Sequence, residues 1–129
     1  IRRLHVEACA MSARNLRIEE QGGAFETFPR PKQALLCGDL NFPAAAPERM
    51  QILAPFTAGV PNFNDAWSVL HPGQVHAPTV GIHPVDFVDR PECFDYVFIT
   101  DGLASHLKAH GIDATTEASD HQPIWVELA

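Results

Sequence analysis

Two short segments hold the residues of this chain best suited to chemistry. Cys37-Gly38-Asp39-Leu40-Asn41 and Ser119-Asp120-His121-Gln122-Pro123 each adjoin an apolar run, and together they offer carboxylate, amide and imidazole groups. Such a set suits a divalent cation and a phosphate. Ala34 to Cys37 reads as a buried strand, so Asp39 and Asn41 point to the same side of the chain just beyond its end. Asp120 and His121 precede Ile124-Trp125-Val126-Glu127-Leu128, a second strand-like run. Pairing of the strands, parallel or antiparallel, brings both loops to one sheet edge and makes one site of them.

The elements that must position these groups follow from pattern. Residues 1–5 read as a strand, with Arg2 and Arg3 at its solvated end. A helix is expected from Ser12, as N-cap, to about Gln21, stopped by Gly22-Gly23. Pro29, Pro31 and Lys32 then form a surface connection. Pro47 to Leu53 reads as a helix with proline in its first turn, and Asp65 to Leu70 as a short helical segment with Asp65 capping it and Trp67 filling core. From His71 to Pro91 the chain is irregular, and His76, Thr79 and His83 there are candidates to line a substrate mouth. Cys93 to Thr100 is expected as a strand, Gly102 to His110 as a helix closed by Gly111, and Ile112 to Thr116 as a further strand. Alternation of strands and helices predicts an α/β sheet layered with helices.

Composition narrows the function classes. The 129 residues carry a net charge of −7, and the nine basic residues are scattered. Nucleic-acid binding draws most of its affinity from phosphate neutralisation by basic stripes, so the charge counts against a nonspecific DNA substrate without excluding it and makes a small phosphoester or lipid headgroup competitive. Cys9, Cys37 and Cys93 are odd in number and lack C-x-x-C spacing, which argues against a disulfide framework or a zinc site and for a reducing, cytoplasmic setting. Cys37, within an apolar run, reads as a small core residue. No apolar stretch approaches the length of a membrane span, and no signal segment is recognisable.

Gly38-Asp39-Leu40-Asn41, Asp65-Ala66-Trp67, Phe94-Asp95-Tyr96-Val97-Phe98 and Ser119-Asp120-His121-Gln122-Pro123 resemble, in the right order, the landmarks of the endonuclease/exonuclease/phosphatase superfamily. The resemblance spans nearly the whole chain. It implies part of a four-layer α/β/β/α sandwich of the deoxyribonuclease I type, with residues 1–129 as the C-terminal portion of one domain. The family's first-strand asparagine and metal-binding glutamate have no match within Ile1 to Ala129, so the N-terminal half of the domain is expected as a missing partner. An isolated half-sandwich would leave an apolar sheet face uncovered, with low stability or aggregation as the consequence.

The resemblance also implies roles. Asp39 orients or deprotonates the attacking water, and Asn41 holds a phosphoryl oxygen or a second cation. Asp120, with Asp39, Asn41 and His121, is expected around Mg²⁺ or Mn²⁺. His121 contacts the scissile phosphate, and Asp95 bonds its other ring nitrogen, fixing its tautomer and raising its pKa. His5 matches a family histidine that assists the leaving group, although Leu4 stands where the family has threonine. The implied activity is metal-dependent hydrolysis of a phosphoester, preferably a diester, in nucleic acid, a phospholipid headgroup or a small molecule. The alternative is a noncatalytic remnant or interaction module that keeps the fold. A nucleic-acid-binding module lacks the basic and aromatic surface it needs.

Overall fold

The computed structural model describes residues 1–12, 32–84 and 88–129. The expected helix beyond Ser12, with Gly22, Gly23, Pro29 and Pro31, lies outside them. The elements are α1 (Arg2–Ser12), β1 (Leu35–Asp39), α2 (Pro47–Leu53), β2 (Phe63–Asp65), α3 (Ala66–Leu70), β3 (Asp95–Thr100), α4 (Asp101–Ala104), β4 (Leu107–Ile112) and β5 (Ile124–Leu128). They form a mixed α/β arrangement with two antiparallel sheets, one in the order β1-β3-β2 and the other the β4-β5 pair.

Strand β3 organises the core because it is central and apolar on both faces. Tyr96 and Phe98 turn to one side, where they pack with Ile52 of α2, Phe63 and Cys93; Val97 and Ile99 turn to the other, with Ala66 and Leu107. This is the period-two alternation of a strand buried twice over. Ile124 and Val126 of β5 lean on the second cluster. The tight register Leu35↔Ile99, Cys37↔Val97, Asp39↔Asp95 puts Asp39 and Asp95 on that same face. His121, just ahead of β5, therefore arrives where the two carboxylates already stand.

Several expectations are corrected. Residues 2–5 belong to helix α1, not to a strand, and Ser12 lies within that helix. Side chains four apart explain the helix: Arg3 pairs with Glu7 at 2.8 Å, and His5 and Cys9 bury on one face. Arg2 is not a solvated end, since its guanidinium donates to the carbonyls of Gln51, Ala54 and Pro55 and lies 3.8 Å over the Phe56 ring. It closes the C-terminal end of α2, where unpaired carbonyls attract a cation.

Cys37 is exposed, because among the described residues β1 is an edge strand with β3 as its one neighbour. The helix expected to run to His110 stops at Ala104, and Leu107–Ile112 is a strand paired with β5. Gly111 closes no helix: it faces Trp125 across that pair, and a Cβ there would come within 2.2 Å of the indole. Residues 113–116, expected in part as strand, form a turn held by Asp113, whose carboxylate accepts from Thr115 N–H and Oγ1. Trp67 is half-buried and stacks on the rings of His71 and His76. No helix among the described residues is long and apolar enough to cross a membrane.

Candidate active site

Asp39 closes β1 and Asp95 opens β3, directly opposite it. Past Asp39 the chain turns sharply. Gly38 has φ 137°, a conformation L side chains rarely adopt, and Asn41 has φ 54°, in the left-handed region that asparagine tolerates. The Asp39 carboxylate holds this turn, accepting from Asn41 N–H at 2.8 Å and from Asn41 Nδ2 at 3.0 Å. Asn41 is thereby fixed beside Asp39 with its amide oxygen left as acceptor.

His121 joins the pair. Its Nδ1 lies 2.8 Å from Asp95 Oδ2, and its Nε2 4.0 Å from Asp39 Oδ2. An ionised carboxylate only accepts, so Nδ1 carries the proton and the tautomer is fixed. Burial opposes charge on the ring, but the hydrogen bond to Asp95 and the charges of Asp95, Asp39 and Asp120 outweigh it and hold the imidazole above its ordinary value. Ligand atoms of Asp39, Asp95 and His121 all lie within 4.8 Å of one another.

The other expected residues fall at different distances from this centre. Asp120 is exposed, accepts from Ser119 Oγ at 3.1 Å, and acts on His121 through its charge without joining the three-residue cluster. With His83, Pro84, Glu117 and Ser119 it borders a neighbouring hollow of about 360 Å³. His5 stands apart. It is buried in α1, bonded through Nε2 to the Pro61 carbonyl at 2.8 Å and packed on the rings of Phe56 and Phe63, none of them site residues.

His76 and Thr79 are buried structural groups rather than mouth residues. His76 Nε2 meets Asp65 Oδ2 at 3.0 Å and its Nδ1 meets Cys93 Sγ at 3.1 Å; Arg49 forks onto the same Asp65 oxygen at 2.6 and 2.9 Å. Asp65 also caps α3 by accepting from Trp67 N–H, as its sequence position implied. Asp65, His76 and Cys93 are the residue types of a nucleophilic triad, but burial pushes the Cys93 thiol up to about 12, where no thiolate forms near neutrality. The set is a core network.

Sequence reasoning did not single out Gln122 for any role, nor see how Thr79 acts. Gln122 is buried; its amide nitrogen, oriented toward the carbonyls of Asp113 and Thr116, reaches them at 2.7 and 3.1 Å and ties down the loop that presents His121. Its place inside Ser-Asp-His-Gln-Pro was the available signal. No protein-family model matches the chain and no curated protein matches it, so what the site can do is argued from these residues and distances.

Proposed function

We propose that this chain is part of a divalent-metal-dependent phosphoesterase domain of the endonuclease/exonuclease/phosphatase type, with its two sheets belonging to a four-layer α/β/β/α sandwich and a phosphodiester as preferred substrate. The observation that carries the proposal is the convergence of Asp39, Asn41, Asp95 and His121 from three separate segments onto one sheet face.

Hard oxygen donors suit Mg²⁺ or Mn²⁺. Asp95 is engaged with His121 and Thr79, so Asp39, the Asn41 amide oxygen and Asp120 are the groups that would hold the cation, beside His121. When bound, the metal supplies neutralisation of charge on the phosphoryl oxygens. The protein's own residues do the rest. Asp39, exposed and fixed by Asn41, accepts the proton of the attacking water. His121, whose charged form the Asp95 carboxylate favours, stabilises the charge that develops on oxygen. Water attacks phosphorus in line as the P–O bond to the leaving alcohol breaks, the departing alkoxide takes its proton from solvent, and no covalent enzyme intermediate forms.

The net charge of −7 favours small diesters or lipid headgroups over a polyanion. The test is turnover of a chromogenic phosphodiester in Mg²⁺ by the native protein and by Asp39→Ala, His121→Ala and His5→Ala. The expected result is loss in the first two and retention in the third. Full metal-dependent turnover in Asp39→Ala or His121→Ala sinks the assignment, and turnover in none, wild type included, with the N-terminal half of the domain supplied, favours a noncatalytic interaction module; the chain alone is expected to be weakly active or inactive.

A further inference from the structure

Thr79 is fully buried in the irregular stretch between α3 and β3, and every hydrogen-bonding capacity of its hydroxyl is used. Its oxygen accepts from the N–H groups of Phe94 and Asp95, each at 3.1 Å. A hydroxyl has one proton and two lone pairs, so with both lone pairs taken the proton is committed to its remaining partner, Asp95 Oδ2 at 2.6 Å. That oxygen is also the one that meets His121 Nδ1 at 2.8 Å.

The backbone of the same residue reaches the other half of the pair. The Thr79 carbonyl accepts from Gln122 N–H at 2.7 Å, its N–H donates to Glu92 O at 2.8 Å, and Val80 bridges both Glu92 and His121. One residue thus touches the carboxylate through its side chain and the imidazole-bearing loop through its main chain. A carboxylate's terminal torsion is broad, so without such a partner either oxygen of Asp95 presents itself to the ring.

We infer that Thr79 is the positioning residue of the Asp95–His121 pair, its hydroxyl selecting the carboxylate oxygen and its backbone setting the distance of the loop. The consequence for catalysis rests on the phosphoesterase reading; the geometry is testable without it. In the whole chain, free of metal and at one fixed pH, NMR of the wild type should show a slowly exchanging, downfield His121 Nδ1 proton and a nuclear Overhauser contact from the Thr79 hydroxyl proton to the Asp95 amide.

Thr79→Ser keeps the hydroxyl and should keep the Nδ1 resonance, whereas Thr79→Val should lose it to exchange. Phosphodiester turnover should follow, with kcat about 10-fold lower in Thr79→Val, KM unchanged, and recovery in Thr79→Ser. A protected Nδ1 proton in Thr79→Val overturns the inference. So does a wild-type hydroxyl too fast in exchange to give the contact, a result that depends on no variant folding. The predicted spectra with no turnover in any protein, even with the N-terminal half of the domain supplied, would support the positioning role and sink the phosphoesterase reading.

Discussion

Asp39 and Asp95 stand directly opposite each other across the β1–β3 pair, two carboxylates at the open end of a sheet whose interior is apolar. Like charges opposed in this way destabilise a strand pair. His121 is the group that offsets them, 2.8 Å from one carboxylate and 4.0 Å from the other.

The pairing should be visible as a titration. The folded value of His121 is raised above its ordinary 6.5, so the stability it contributes is fully present below that pH and is lost as pH rises through the folded value. In metal-free protein, NMR should place the His121 midpoint above 6.5. In Asp95→Asn it should drop, because the main group that raises it loses its charge. An unchanged midpoint in Asp95→Asn would contradict the pairing.

Relief of the opposed carboxylates should separate stability from activity. Asp39→Asn keeps an acceptor for Asn41 N–H and removes one charge, so metal-free denaturant unfolding should show a gain of about 0.5 kcal/mol. Metal-dependent turnover should be lost in the same protein. A clear loss of stability would mean that Asp39 is a fold residue first.

Asp65 should behave in the opposite way. It is almost wholly buried, and Asp65→Ala leaves the charge of Arg49 and the ring of His76 without their partner. Urea unfolding should show a loss of about 3–5 kcal/mol. Burial opposes ionisation of Asp65, yet the hydrogen bonds and charges of His76 and Arg49 hold it below the usual 3.8, so its contribution is present above that pH and fades as pH falls through the lowered value. An Asp65→Ala protein as stable as the wild type would dispose of the network.

Gly111→Ala tests the β4–β5 pairing. The new methyl would sit 2.2 Å from the Trp125 ring, which is half-exposed and must swing away or strain the pair. A cost of about 1–3 kcal/mol in thermal or denaturant unfolding is expected. Were residues 102–110 helical with Gly111 beyond their end, the substitution would leave Trp125 fluorescence untouched.

How far the sequence was legible depended on whether a residue's role is local. The grouping of Asp39 and Asn41 with Asp95 and His121 was readable because each sits in a short segment at the end of an apolar run, and α2 and β5 were readable because proline at a first turn and a continuous apolar run decide them locally. Residues 107–110 of β4 were misread as helix because they hold no strong period, and the partner strand that settles the matter is more than ten residues away. His5 was misplaced for a related reason: a histidine beside apolar residues fits a strand or a helix, and only its burial between Phe56 and Phe63 chooses. Thr79 was legible as a loop residue and no further, since all its partners, from Glu92 to Gln122, are brought to it by tertiary structure.

The most direct measurement is a Mn²⁺ titration of the isotopically labelled chain followed by NMR, because a paramagnetic ion broadens the resonances nearest to it even when it binds weakly. The account predicts selective broadening at Asp39 to Asn41 and Ser119 to His121, reversed by excess Mg²⁺, with Asp65 and Trp67 spared and the effect removed by Asp39→Asn. Broadening that is uniform, centred elsewhere, or unchanged in Asp39→Asn would contradict the metal site on which the proposed phosphoesterase depends.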